Sequence, residues 1–152
     1  MKSILSLVVF FALVAVAAFF GAQFGPGAWY EGLAKPSWNP PNWLFGPVWT
    51  ALYIGIAVAG WLVWKQSGQR RTPALALWIA QLALNAAWSW LFFGLHRPDL
   101  ALGNILALLA CIVAFAVAAR PLSPAAAWLF VPYALWVSFA TTLNASIWQL
   151  NP

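Results

Sequence analysis

Hydropathy along this chain is organised as long apolar runs broken by short polar punctuation, not as the strict alternation of a half-buried sheet. The first run extends from Ile4 to Phe24. Four more follow: Pro47 to Trp64, Pro73 to Phe93, Leu100 to Ala119 and Ala125 to Leu150. A helix needs about 20 predominantly apolar residues to cross a bilayer, and only helices and closed barrels satisfy every backbone polar group there. The pattern therefore predicts an all-α membrane protein, a single bundle of five transmembrane helices over residues 1–152. Met1-Lys2 ahead of the first run, with Ala15-Val16-Ala17-Ala18 downstream, also resembles a secretory signal and its cleavage site. Continuation of the run to Phe24 exceeds a usual signal core and favours a retained helix.

The punctuation is uneven. Between the first two runs, Gly25 to Gly46 holds Pro26, Pro36, Pro40 and Pro41 together with Trp29, Tyr30, Trp38 and Trp43. Each proline removes a donor and restricts the residue before it, so a long ordered loop is expected, with Pro47 in the first turn of the next helix. Lys65 to Thr72 reads as a basic turn, His96-Arg97-Pro98-Asp99 as a short loop with Asp99 capping the fourth helix, and Arg120 to Pro124 as a tight turn. With five spans, Lys2, Lys65, Arg70, Arg71 and Arg120 fall on one side, against Lys35 and Arg97 on the other. Positive residues favour the inside. A cytoplasmic N-terminus and an outward-facing aromatic loop are therefore expected, in a bacterial inner membrane.

Composition agrees with that picture and narrows it. The chain is 64% hydrophobic and 6% charged, with a mean hydropathy of +0.85, whereas a soluble domain carries roughly a quarter charged residues. The net charge of +5 is scattered and forms no stripe for a phosphate backbone, which excludes nucleic acid as a partner. One cysteine, Cys111, lies in an apolar run and reads as a packed side chain. One histidine and one cysteine build no metal site alone. The only carboxylates, Glu31 and Asp99, form no evident acid–base pair, and no glycine-rich phosphate loop is present.

The polar residues within the spans line up. Trp78, Gln81, Asn85, Trp88 and Phe92 follow three- and four-residue steps in the third span, and Trp136, Ala140 and Asn144 do so in the fifth, beside Tyr133. The second span adds Trp49 and Tyr53. Polar groups in hydrocarbon turn to the bundle interior, so these faces predict an internal cavity walled by aromatics and amides. The plain alternative is that Gln81, Asn85 and Asn144 only bond helix to helix. Of twelve tryptophans, Trp61, Trp64, Trp128 and Trp148 lie near span ends and suit an interfacial belt. Small residues recur at four-residue spacing in the second, third and fourth spans, and a stripe on the third is the candidate homodimer surface.

Trp29-Tyr30, then Lys35-Pro36-Ser37-Trp38-Asn39-Pro40-Pro41-Asn42-Trp43, then Pro47-Val48-Trp49-Thr50-Ala51-Leu52-Tyr53 resemble the signature of the TspO/MBR family, the tryptophan-rich sensory proteins related to the mitochondrial translocator protein. Gln81 to Gly94 and Val131 to Asn144 are similar to that family's later segments. The resemblance implies a five-helix bundle, commonly dimeric, with a pocket beneath the first loop that binds tetrapyrroles such as protoporphyrin IX. It requires no cofactor, the porphyrin being a ligand. Trp49, Asn85, Trp88, Trp136 and Ala140 match pocket-lining positions, with Trp38, Tyr53 and Phe92 beside them. The resemblance implies a role as sensor, transporter or regulator of tetrapyrroles. The alternative it carries is light- and oxygen-dependent porphyrin degradation, in which Trp49 and Trp136 act catalytically. One departure concerns cholesterol: the sterol pattern places Lys or Arg shortly after a Tyr, and no basic residue follows Tyr133.

Overall fold

The computed structural model describes residues 2–66 and 69–152. Helix α1 covers Lys2–Ala22, α2 Ala28–Gly32, α3 Asn42–Trp64, α4 Arg71–Ser89, α5 Pro98–Ala119 and α6 Pro124–Leu150. A π-helical turn, Trp90–Gly94, prolongs α4. Among the described residues, five of these helices are long and apolar enough to cross a membrane, and there is no strand. They form a closed ring in the order α1, α3, α6, α5, α4. Ser67 and Gly68 lie outside the described residues, so the basic turn between α3 and α4 is seen only at its two ends.

Burial runs opposite to that of a soluble protein. Ile4, Leu5, Val16 and Phe19 of α1 are exposed, as are Val117 of α5 and Leu135 of α6. Lipid is as apolar as a leucine side chain, so close packing and hydrogen bonds hold the ring instead of hydrophobic exclusion. The tightest approach is at Gly60, which is buried on α3. A Cβ there would lie 2.6 Å from the Trp78 ring and 2.8 Å from Phe10, so only glycine lets α3 seat against α4 and α1 together. The Trp78 indole N–H donates to the Ile56 carbonyl at 2.8 Å across the same seam. Trp64, Trp128 and Trp148 are exposed, as a belt requires, while Trp61 turns its N–H to the Ser3 carbonyl at 3.1 Å.

Several expectations need correction. The Gly25–Gly46 segment is not helix-free, because the proline-free stretch Ala28–Gly32 winds into a helical turn. Helix α3 starts at Asn42, not Pro47: Pro41 holds the extended cap conformation, and Pro47 sits inside the helix. The bond lost there is the one from residue 47 to the Trp43 carbonyl, a cost the surrounding turn tolerates. Asp99 does not cap α5. Pro98, with its fixed φ, takes the first helical position, which makes Arg97 the cap. The Asp99 carboxylate instead accepts from Arg97 Nε at 2.8 Å. Ser123 caps α6, accepting from the Ala126 N–H at 3.4 Å.

The end of α4 also differs from a plain helix running to Phe93. The Leu95 N–H bonds to the Trp90 carbonyl at 2.8 Å, a five-residue step, which widens the turn. Consecutive residues of an ordinary helix diverge by about 100°. Here Phe92 and Phe93 both pack against Tyr30, with ring centroids 6.3 and 5.5 Å away.

Candidate functional site

The ring encloses a cavity of about 370 Å³ beneath the segment joining α1 to α3, within the roughly 300–1,000 Å³ range of small-molecule sites. Seven of the eight expected ligand residues line it: Trp49 and Tyr53 from α3, Asn85 and Trp88 from α4, Phe92 from the π-turn, and Trp136 and Ala140 from α6. Trp38 is the exception. It stands outside the lining, about half exposed, packed edge-on against Phe139 with centroids 5.7 Å apart.

The amides are held in a chain that runs from the cavity into the core. The Tyr53 hydroxyl donates to Asn85 Oδ1 at 3.0 Å, and Asn85 Nδ2 donates to the Tyr133 oxygen at 2.9 Å. The Tyr133 hydroxyl donates in turn to Gln81 Oε1 at 2.8 Å, and Gln81 Nε2 ends the chain on the Trp78 carbonyl at 2.9 Å. Gln81 is fully buried and does not reach the cavity. It fits the helix-bonding reading. Asn85 and Asn144 serve both roles. Asn144 lines the cavity while accepting from the Trp88 indole at 3.0 Å and donating to the Pro98 carbonyl at 2.8 Å, which ties α4, α5 and α6 together.

Two tryptophans differ from Trp78 and Trp88. The indole N–H groups of Trp49 and Trp136 donate to no described residue, and among those residues no buried side-chain nitrogen or oxygen lacks a partner. These two donors are therefore reachable, not sealed in protein. Trp49 lies 5.4 Å from Tyr53 and 6.2 Å from Tyr133 between ring centroids; Trp136 lies 5.7 Å from Phe45. Among the described residues, no Lys, Arg, Asp, Glu or His lines the cavity. Its surface is aromatic, electrically neutral, and equipped with a few donors.

The roof is fastened at three places. Trp29 stacks flat on His96, with centroids 4.3 Å apart and planes 13° from parallel. His96 holds a φ of 55°, the left-handed conformation uncommon outside glycine. The Ala34 N–H donates to Asn151 Oδ1 at 3.0 Å, and Asn151 Nδ2 donates back to the Ala34 carbonyl at 2.9 Å. Trp38 on Phe139 is the third contact. Tyr30, on the underside of the roof, lines the cavity, and burial pushes its phenol pKa up.

Periodicity missed the share of the cavity built by α1 and α5. Ala18, Gly21 and Ala22 on α1, and Ile105 and Leu108 on α5, line it; Gln23 follows Ala22 and Asn104 precedes Ile105, and the Asn104 amide turns to the Leu84 carbonyl at 2.9 Å. Tyr30 and Phe45 were also missed as lining residues; the only signal for them was their place in the aromatic first loop.

The chain is similar to proteins from several kingdoms. It is 44% identical over 158 residues to the tryptophan-rich protein TspO of Chlorobaculum tepidum, covering 99% of each chain. To the protein CrtK of Rhodobacter capsulatus it is 43% identical over 150 residues, 95% of this chain and 91% of that one. To the human translocator protein it is 42% identical over 139 residues, 88% and 82% of the two chains. The TspO/MBR family profile matches residues 7–149, and with these similarities over nearly the whole length, this multi-pass integral membrane protein belongs to the TspO/MBR family.

Proposed function

We propose that this protein binds a flat, apolar, aromatic molecule that carries hydrogen-bond acceptors, a tetrapyrrole of the protoporphyrin IX kind, in the cavity beneath the roof. The observation that carries this reading is the pairing of aromatic walls with two reachable indole N–H groups, on Trp49 and Trp136. Aromatic faces stack on a planar macrocycle, and neutral donors orient its polar edge without the desolvation cost of a buried charge. The protein acts as a sensor, carrier or regulator of such ligands. It lies in a bacterial cytoplasmic membrane, with the N-terminus inside and the roof outside, as the distribution of Lys and Arg favours. Ala76, Ile79 and Ala83 of α4 face outward and offer a close-packing surface for a second copy. Titration of the purified protein with protoporphyrin IX should quench tryptophan fluorescence saturably, and absence of saturation would overturn the proposal.

A second reading rests on the grouping of Trp49 with Tyr53 and Tyr133. Three oxidisable rings beside a photo-excited macrocycle favour oxygen-dependent degradation of the ligand. Illuminated samples then lose porphyrin absorbance faster than dark controls, and the Trp49→Phe and Trp136→Phe variants abolish the difference. Full photodegradation in both variants would remove the role given to these two residues.

A further inference from the structure

Trp136 belongs to two hollows at once. One of its sides lines the interior cavity. The other lines an outer groove between α3 and α6, whose remaining walls are Val48, Ala51, Leu52, Pro132, Leu135 and Phe139. Every side chain in that groove is hydrocarbon apart from the indole N–H. Leu135 is 68% exposed and Ala51 is exposed, so the groove opens to the bilayer. Trp136 is the one residue that the cavity and the groove share.

Both helices that flank the groove are interrupted by proline. Pro47 removes the bond to the Trp43 carbonyl on α3, and Pro132 removes the bond to the Trp128 carbonyl on α6. Each break lies within one turn of a groove residue. The indole itself is free of the restraint placed on its neighbours. Trp78 is tied to the Ile56 carbonyl and Trp88 to Asn144, whereas the Trp136 indole donates to no described residue and packs on Phe45 and Phe139, with centroids 5.7 and 5.5 Å away.

We propose that the α3–α6 seam is a lateral portal through which a planar apolar ligand passes between the bilayer and the cavity, with the Trp136 indole as its movable partition. The proposal rests on the ligand-binding reading above. A ligand of that class dissolves in hydrocarbon. The route through the roof breaks the Asn151 bonds to Ala34 and the Trp29–His96 stack, and it also carries an apolar molecule through water. The route through the seam moves an indole that donates to no described residue, where each flanking helix already lacks one backbone bond.

Ala51→Phe and Leu135→Phe fill the groove from positions that face lipid and do not line the cavity. The protein in lipid nanodiscs is mixed with protoporphyrin IX, and tryptophan quenching is followed by stopped flow. The portal predicts that association and dissociation both slow roughly tenfold in the Phe variants while the equilibrium constant stays within about twofold. Leu135→Ala, which widens the groove, should speed both rates. Saturable binding with unchanged rates in both Phe variants overturns the portal and leaves the ligand-binding reading intact. A large loss of equilibrium affinity at unchanged association rate also overturns it, because the groove is then a site in its own right. Absence of saturable quenching in the unmodified protein instead defeats the ligand-binding reading on which the portal rests. Unaltered thermal unfolding of the variants separates these outcomes from misfolding.

Discussion

The two ends of the bundle are built from the same residue types and reach opposite results. At the end away from the roof, Phe10, Gly60, Val63 and Trp78 interlock, and a Cβ at Gly60 does not fit. At the roofed end, Trp49, Trp88, Phe92 and Trp136 stand around open space. The difference lies in what each indole N–H does and in how close the backbones come. Where a glycine brings two helices together and the indole finds a carbonyl, tryptophan is a peg. Where the indole donates to no described residue, as at Trp49 and Trp136, or bonds an amide on the cavity lining, as Trp88 does with Asn144, tryptophan is a wall. The Tyr53–Asn85–Tyr133–Gln81 chain is the boundary between the two regimes.

Substitutions that fall on one side of this boundary should leave the other untouched. Gly60→Leu should have the largest effect. Its side chain meets the Trp78 and Phe10 rings below contact distance, and overpacking of this kind costs about 3 kcal/mol or more, read as a lowered unfolding temperature in detergent. Tyr133→Phe comes next. It strands Gln81 Oε1 and Asn85 Nδ2, and unpaired buried polar groups cost about 1–3 kcal/mol. Because Asn85 lines the cavity, this change should also weaken ligand binding, the one case where both measurements move. A matched pair sharpens the contrast further. Trp78→Phe should lower stability by about 1–3 kcal/mol through the lost indole bond to the Ile56 carbonyl and lost volume, with ligand affinity nearly unchanged. Trp49→Phe should do the reverse, leaving unfolding nearly unmoved and weakening protoporphyrin IX roughly tenfold, about 1.4 kcal/mol. Equal stability losses in this pair would erase the distinction between peg and wall. The smallest effect is expected from Asn151→Ala, which removes both bonds to Ala34. Both bonds are exposed and water takes their place when they are lost, so unfolding should shift by less than about 1 kcal/mol, while hydrogen exchange in the roof should rise.

The five spans were legible because membrane helices announce themselves by length and hydropathy alone. Much of the cavity was legible as well. Polar and aromatic residues are conspicuous against an apolar background, and Asn85, Trp88, Trp136 and Ala140 fall on shared helical faces. The parts that escaped are those where the background carries no contrast. Ala18, Gly21 and Leu108 look like their neighbours, and only the packing of the helices places them on the cavity. Proline misled in both directions: Pro47 marks no helix start, since α3 already runs from Asn42. The π-turn leaves no trace in composition, because one backbone bond, Leu95 to Trp90, sets it. Trp38 sits in the family-like motif yet packs on Phe139 away from the cavity, and tertiary contact decided that placement.

The clasp between Ala34 and Asn151 joins residues 117 positions apart in the chain. Synthesis proceeds from the first residue onward, so the roof segment emerges long before its anchor exists. Trp29 and Tyr30 gain His96 and the π-turn once α4 is made, but Trp38 waits for Phe139 and Ala34 for Asn151, so the cavity has no finished ceiling until α6 is in place. Closure of the compartment is therefore a late event in biogenesis, dependent on delivery of the fifth span. A ribosome-stalled chain that stops short of Asn151 would carry its helices but not a locked chamber.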